Sequence, residues 1–328
     1  MKKEQSEKLS IYDTIIATSL IKKHFEKQLC TRLSLTPIGA PLFISTDQGI
    51  QDKLSGKEKA VSFIAEDTTF EIVHSLAKWK RIALMKYGFK DYTGIITDMI
   101  AIRKEDTIDD LHSHLVDQWD WEKIITKGAR TIDTLKSTVT SIYKAIRQTS
   151  IYIKKIYPTL SLKLAKTVHF ITSQELEDLY PDDTPIKREY LITKKYGSVF
   201  IIGIGDKLKS GIPHGTRSPD YDDWTMDGDL LVYDKERDRT LEITSMGVRA
   251  DKVALLSQLE KSDCLDRLES EYHQMLIKDQ LPLTIGGGIG KSRLCMLLLE
   301  KRHIAEVQAS YWPAKTISDC KKDSIVIL

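Results

Sequence analysis

The sequence predicts an α/β fold of the α+β kind, on three observations. Long stretches with apolar residues at helical spacing are interleaved with short runs at strand spacing. Residues 284–299 (TIGGGIGKSRLCMLLL) place Gly286, Gly287, Gly288 and Gly290 ahead of an apolar run that starts at Leu294, which reads as a strand ending in glycine and turning into a buried helix. The 328 residues, 41% hydrophobic, carry no internal repeat or low-complexity linker, so one compact unit over 1–328 is expected.

In chain order, Ile11, Ile15, Ile21, Phe25, Leu29 and Leu33 recur at near-helical spacing and predict a long amphipathic helix ended by Pro37, with residues 40–44 extended. Residues 49–56 (GIQDKLSG) are polar and bounded by glycines. They read as a loop, either plain surface or, through Asp52, a binder of an amino group. Residues 70–73 read as a strand. HSLAKWKR (74–81) then starts a helix with Ser75 as N-cap. Lys78 and Lys80 fall in its first turns and by themselves suggest a solvated basic face.

Residues 94–102 predict a strand closed by Arg103, Glu105 and Asp106, and residues 114–122 return as a second strand. Period two puts Val116, Gln118, Asp120 and Glu122 on one face of it and Leu115, Asp117, Trp119 and Trp121 on the other. Buried carboxylates are costly unless paired, so the polar face is expected to line a wet pocket. His112 and His114 share a face, but no third ligand is near, and zinc is not expected.

Residues 132–156 predict a long helix ending before Pro158; a strand at 168–171, helices from 173 to near Pro181 and over 185–196, and a buried strand at 199–202 follow. Residues 203–220 (GIGDKLKSGIPHGTRSPD) read as a mobile loop, in functional terms a lid. Residues 230–233 and 240–244 predict a hairpin, with Asp229, Glu242 and Arg249 on or beside it. Two acids at neighbouring strand ends suit an Mg²⁺ that keeps several waters and bridges phosphates, or are ordinary strand-end acids.

The glycine-rich stretch fails two phosphate motifs. A P-loop needs glycine five before Gly290, where Ile285 stands. A dinucleotide fingerprint needs G-x-G-x-x-G opening a βαβ unit, and the spacing here is G-x-G-x-G with fewer than forty residues to follow. A tight turn before a core helix remains open. The other reading is a resemblance to the third signature motif of class II aminoacyl-tRNA synthetases, whose helix carries an ATP-binding arginine.

Bulk properties exclude several classes. Net charge is +2 with pI near 8.1, so no global basic field for nucleic acid is expected. No apolar run reaches membrane-spanning length, and the start MKKEQSEKLS has no apolar signal region. Cys30, Cys264, Cys295 and Cys320 are scattered, without a C-x-x-C pair. A soluble protein of the reduced cytoplasm is expected, with no membrane or nucleic-acid partner.

Taken in order, GIQDKLSGKEKAV, FEIVHSLAKWKR, LHSHLVDQWDWE, TLKSTV, HFITSQEL, PDYDDW, GDLLVY, LEITSMGVR and TIGGGIGKSRLCMLLL resemble ammonia-dependent asparagine synthetases, aspartate–ammonia ligases related to the aspartyl-tRNA synthetase core. The runs span nearly the whole chain; VHSLAKWKR and VDQWDWE are the most specific. The resemblance implies an antiparallel sheet of about six to eight strands flanked by helices, in a homodimer built on the first helix and strand. It implies catalytic roles for Arg103, Asp222 and Arg293. It places aspartate on Asp52, Lys80, Gln118, Asp120, Thr244, Ser245 and Arg249. For ATP it implies Arg103, Leu111, Tyr221, Glu242, Gly288, Gly290 and Arg293, and for Mg²⁺ Asp229 and Glu242.

The implied reaction joins L-aspartate to ammonia through a β-aspartyl-adenylate, with AMP and pyrophosphate released. Arg249 and Lys80 are then expected to clamp the α-carboxylate, and Asp52 and Asp120 to hold the ammonium group of aspartate. The chain departs from the family in a short 224–229 segment and in Thr244, where serine is usual. A non-catalytic paralogue would lose Arg103, Arg293, Asp229 or Glu242, and all are present. A tRNA-charging enzyme would need an anticodon module ahead of the first helix, and a glutamine-dependent synthetase an N-terminal cysteine; neither reading is expected for this sequence.

Overall fold

A computed structural model describes residues 9–54 and 58–328. The first eight residues and Ser55, Gly56 and Lys57 lie outside the described residues, and with them most of the charged start and the end of the GIQDKLSG loop.

Helix α1 (Ile11–Leu33) begins where Ser10 Oγ accepts the Asp13 amide at 3.0 Å and ends at Ser34, whose φ of 58° is left-handed. The helix therefore stops before Pro37, which lies inside the next strand, β1 (Leu35–Ile38). Proline is tolerated there because β1 is an edge strand. A small sheet follows, in the order β2 (Phe43–Ser45), β4 (Thr68–Ile72), β3 (Ser62–Ala65). Helix α2 (Ala77–Lys86) does not take Ser75 as its N-cap residue. Its first amide donates to Asp52 Oδ2 at 2.7 Å, an acceptor from 25 positions earlier, while Ser75 Oγ stands at 3.4 Å. Lys78 and Lys80 are buried, not solvated, because acids wait for them inside the fold.

The remaining strands are β5 (Gly94–Ile102), β6 (Leu115–Ile124), β7 (His169–Thr172), β8 (Ser198–Ile202), β9 (Asp222–Asp234), β10 (Arg239–Arg249) and β11 (Thr284–Gly290). The helices are α3 (Ile132–Ile156), α4 (Ser173–Leu179), α5 (Pro185–Tyr196), α6 (Lys252–Lys261), α7 (Glu271–Ile277), α8 (Lys291–Leu298) and α9 (Ala314–Lys322). The 230–233/240–244 hairpin is thus the tip of a much longer β9–β10 ribbon.

The large sheet runs β1-β5-β6-β11-β10-β9-β8-β7. Its six inner strands are antiparallel, but β1 pairs with β5 and β7 with β8 in parallel, so the sheet is mixed and the expected antiparallel sheet is corrected at both edges. The cause is connectivity: β1 reaches β5 through the small sheet and α2, and β7 reaches β8 through α4 and α5. Such crossovers bring a chain back in the same direction.

One face of the sheet is apolar. Phe25 and Leu29 of α1, Val139 and Ile142 of α3 and Leu294 of α8 pack with Trp119, Trp121, Ile285 and Ile289. Truncating such a ring, as in Phe25→Ala, costs about 3–5 kcal/mol. The α1 face is only partly used: Ala17, Ile21, Phe25 and Leu29 are buried, whereas Ile11, Tyr12, Ile15 and Ile16 are exposed. The opposite face carries α2, α6 and α7 around a second cluster that includes Leu76, Met99, Leu255 and Tyr272. Between these helices the sheet is left open.

Candidate active site

The open face holds a cavity of about 380 Å³. Its floor follows from strand register. One row crosses four strands as Glu122, Gly286, Gly247 and Asp227, and the next as Asp120, Gly288, Ser245 and Asp229. Residues in register share a face, so acids stand at both ends of each row and the middle is nearly free of side chains. A Cβ on Gly286 would run into Glu122 Oε2, and one on Gly288 into Gln118 Oε1. The glycines of the 284–290 strand therefore leave room for the polar side chains of β6 to lie across it.

Arg249 anchors the deep end. Its Nε and Nη2 donate to Glu122 at 2.9 and 2.8 Å, and Nη1 donates to Asp222 Oδ1 at 2.5 Å. Lys80 donates to Asp120 and to the Trp121 carbonyl (3.0 Å), with its Nζ 3.6 Å from Glu122. Thr284 adds a 2.7 Å bond to Glu122. Burial opposes ionisation of Glu122, but Arg249 and Lys80 outweigh it and hold the carboxyl below its ordinary range.

Beside this lies a second charge cluster. Lys78 pairs with Asp220 at 3.0 Å, Arg267 donates to the same carboxylate at 3.3 Å, and Ser218 donates to it at 2.5 Å. Burial works against the Asp220 charge, yet these partners and His273 hold its carboxyl well below the usual range. Asp52 is also buried, and its pKa is pushed up to about 6 by burial, with Lys78 opposing the shift. Its Oδ2 is taken by α2, while Oδ1 has no hydrogen-bond partner; nor does Asp120 Oδ2.

The rim is built differently. Arg103 donates to the His74 carbonyl at 3.3 Å, and its Nε is unpartnered. Arg293 donates to His112 Nε2 at 2.7 Å and to the Glu242 carbonyl at 3.3 Å. Arginine cannot accept, so Nε2 is the acceptor and Nδ1–H faces Asp109 at 2.9 Å. His114 Nδ1 lies 3.2 Å from the Arg103 carbonyl. Both histidines set aside as zinc ligands thus touch the two arginines, and among the described residues no group of three or more His, Cys, Asp or Glu is placed to hold a metal.

Of the expected residues, Arg103, Leu111, Gln118, Asp120, Tyr221 and Asp222 line the cavity. So do Glu242, Ser245, Arg249, Gly288, Gly290 and Arg293. Asp52 and Lys80 sit just behind the wall. Thr244 is not brought in: it pairs with Ile289 and Leu230 on the helix-covered face, and its hydroxyl donates to the Gly288 carbonyl at 2.7 Å. A bulge at Ile243 explains how Glu242, two residues away, still points to the cavity face. Asp229 is covered by Arg217, whose Nη2 donates to it.

Asp229 and Glu242 offer hard oxygen donors close enough for their charges to interact. A guanidinium already resting on Asp229 marks the position as one that accepts a cation. Two carboxylates suit an Mg²⁺ that draws its other ligands from water and phosphate. Sequence reasoning put Glu122 on the polar face of its strand and weighed His112 only as a zinc ligand, without giving either a place in the site; Asp220 and Arg217 were missed, and nothing local pointed to them.

The model of one family, described as aspartate-ammonia ligase, matches residues 12–324. The aspartate–ammonia ligase of Clostridium perfringens (strain SM101 / Type A) is 50% identical over 323 residues, covering 98% of this chain and 96% of that one. Its counterpart in Levilactobacillus brevis is 48% identical over 324 residues, covering 98% and 97%. Among solved structures, the Pyrococcus horikoshii asparaginyl-tRNA synthetase complexed with asparaginyl-adenylate is similar with a TM-score of 0.64 and 15% identity, over 91% of this chain and 70% of that one. The Entamoeba histolytica enzyme in complex with the same adenylate gives 0.63 at 15% identity, over 91% and 66%. The chain thus spans about two thirds of those synthetases, and the likeness establishes the class II synthetase fold.

Proposed function

The chain belongs to the aspartate–ammonia ligase family, and from that premise we propose its chemistry: L-asparagine is made from L-aspartate and ammonia at the expense of ATP. The observation that carries the reading is a glycine floor with a buried cationic clamp at one end and two arginines at the other.

A carboxylate is a poor acyl donor and must be activated. The aspartate β-carboxylate oxygen attacks the α-phosphorus of ATP, pyrophosphate leaves, and a β-aspartyl-adenylate forms. Ammonia then attacks the acyl carbon, a proton is lost from nitrogen, and AMP leaves. Arg103 and Arg293 take the charge that develops on the α-phosphate, since fixed donors in a site shielded from water act more strongly than water does. Leu111, Tyr221, Gly288 and Gly290 line the nucleotide's side of the cavity. Asp229 and Glu242 would hold Mg²⁺, which would supply positive charge against the phosphates.

Orientation decides which carboxylate reacts. Arg249 and Lys80 clamp the α-carboxylate at the deep end, with Asp222 steadying Arg249 from its second side. The unpartnered oxygens of Asp52 and Asp120 are acceptors for the ammonium group of aspartate, because a buried acceptor left unpaired is costly until a donor arrives. Gln118 and Ser245 complete this pocket. The exposed Ile11, Tyr12, Ile15 and Ile16 of α1 suit a homodimer contact, residues 1–328 act as one unit, and four unpaired cysteines suit a reducing cytoplasm. No described helix is long and apolar enough to cross a membrane. Neither a membrane nor a nucleic acid is a partner in this reading.

The test is mass spectrometry of AMP and asparagine from ATP, aspartate and ammonium, with glutamine and tRNA as controls. Both products form with ammonium alone, and AMP that depends on tRNA overturns the reading. Lys80→Ala sharpens it: the aspartate requirement rises far more than the ATP requirement, and unchanged aspartate kinetics would remove Lys80 from the clamp.

A further inference from the structure

Arg217 lies between Asp229, one of the two acids assigned to the metal, and the cavity. It sits on the 203–221 loop, and its side chain lines the cavity while Asp229 behind it does not. Its Nη2 donates to Asp229 Oδ1, and its Nε stands 3.4 Å from Asp227 Oδ2. The second contact is an ion pair without a hydrogen bond: Arg217 Nε and Asp227 Oδ2 are both buried and both unpartnered. Asp227 and Asp229 are two apart on β9 and so share a face. A guanidinium fork satisfies two acceptors best when both lie in its plane, and here the Nε–H goes unpartnered. The acids hold a cation at this point, but the guanidinium meets them imperfectly.

The loop around Arg217 is anchored on both sides. Asp227 Oδ1 accepts the Ile204 amide at 2.8 Å at its start, His214 Nε2 lies 3.0 Å from Glu189, and Ser218 is bonded to Asp220 near its end. Moving Arg217 off Asp229 therefore requires a side-chain swing, not a displaced loop. Its neighbour Thr216 lines the cavity as well.

We propose that Arg217 is a third ATP-binding arginine that stands in for the divalent ion while the site is empty. The inference rests on the assignment of Asp229 to Mg²⁺. When nucleotide arrives with its ion, the ion takes Asp229, the guanidinium is released into the cavity, and it pairs with the phosphates that leave as pyrophosphate. The exchange keeps the acids neutralised at every stage, so no uncompensated carboxylate is exposed in the empty enzyme. It also makes entry of the ion and capture of the phosphates one event.

The two ligands respond to Arg217 with opposite sign, which a purely structural ion pair would not produce. Mn²⁺, followed by the EPR signal of the free ion, is titrated into the nucleotide-free full chain, the Arg217→Gln variant and the Asp229→Asn variant. Arg217→Gln is expected to bind Mn²⁺ about tenfold more tightly than the unaltered chain, because a positive charge a few ångströms from the site is gone. It is expected to bind Mg²⁺ with α,β-methylene-ATP about tenfold more weakly, because a charge-assisted hydrogen bond is lost. Arg217→Lys, which keeps the charge and loses the fork, falls between the two on both scales, and thermal unfolding checks that each variant is folded. Mn²⁺ affinity unchanged or weakened in Arg217→Gln overturns the proposal, whatever happens to the nucleotide. If Asp229→Asn, placed in the Arg217→Gln background, leaves the tightened Mn²⁺ binding intact, the metal assignment of Asp229 fails instead, and the proposal falls with it.

Discussion

At the deep end of the cavity the charged side chains are tied into one buried lattice, in which Arg249 is shared by Glu122 and Asp222, and Lys80 by Asp120 and Glu122. At the rim, Arg103 has one long bond to a carbonyl, Arg293 leans on a half-exposed histidine, and the side chain of Glu242 is 45% exposed. Apart from the unpartnered oxygens of Asp52 and Asp120, the deep end is already paired, while the rim is loosely held and, in the proposed reading, is completed by ligand. This matches the chemistry asked of each. Aspartate must be held one way round, which calls for fixed geometry; a polyphosphate arrives already charged and can organise flexible arginines around itself.

The largest effect expected from this contrast is on stability. Arg249→Met strands Glu122 and Asp222 in the interior, and removing one member of a buried ionic lattice costs about 3–5 kcal/mol. Denaturant unfolding reads the loss directly. A cost below about 1 kcal/mol would mean that the lattice is wetter and looser than its hydrogen bonds suggest.

At the rim the same operation moves activity and leaves the fold. Arg103→Ala and Arg293→Ala are expected to change stability by under about 1 kcal/mol, since neither leaves a buried carboxylate unpaired. Each lowers kcat/KM for ATP by roughly 10²–10³, the loss typical of a donor aimed at developing charge. Equal stability losses for Arg249→Met and Arg103→Ala would erase the contrast between the two ends.

A third substitution tests the floor between them. Gly286→Ala drives a methyl group into Glu122, and that carboxylate cannot move without taking Arg249 with it. Overpacking of this sort costs about 1–3 kcal/mol. The KM for aspartate is expected to rise while that for ATP stays near its original value, because Glu122 lies at the clamp end. A rise confined to ATP would place the clamp at the wrong end of the cavity.

The sequence made one end more legible than the other. Alternation along 114–122 identified the polar face of β6, since side chains of a strand fall on fixed sides and a buried acid demands a reason. The strand-to-helix turn at 290–291 and the bounds of α3 and α5 were equally plain, being set by local glycine, proline and apolar spacing. What escaped depends on contacts between distant segments. Nothing near Lys78 announces Asp220, nothing near Ala77 announces Asp52 as its acceptor, and nothing near Arg293 announces His112. The bulge at Ile243 is the sharpest case. Strict alternation would have put Thr244 and Glu242 on one face, and one extra residue separates them, leaving Thr244 against the helices. The parallel edges β1 and β7 were hidden for a related reason, because pairing direction is decided by where a crossover lands.

The smallest expected effect concerns Asp52, which belongs to neither end fully. It sits deep, yet one of its oxygens is unpartnered like a rim group. Burial raises its pKa to about 6, and Lys78 only partly offsets that. The ammonium group of aspartate needs the charged carboxylate, so an acid with a raised pKa loses binding power as pH falls through the raised value. From pH 7 to pH 6 the ionised fraction drops by about half, and kcat/KM for aspartate is expected to fall about twofold, then about fivefold from pH 6 to pH 5, approaching tenfold per unit only below that. The same profile taken with ATP as the varied substrate at saturating aspartate should be flatter, because the ligand's own ammonium group pulls the Asp52 pKa down once bound. Asp52→Asn keeps an acceptor for the Ala77 amide but cannot ionise. Its aspartate profile is expected to be low and level across this range. A limb near pH 6 that persisted in that variant would assign the titration to another group and remove Asp52 from the ammonium site.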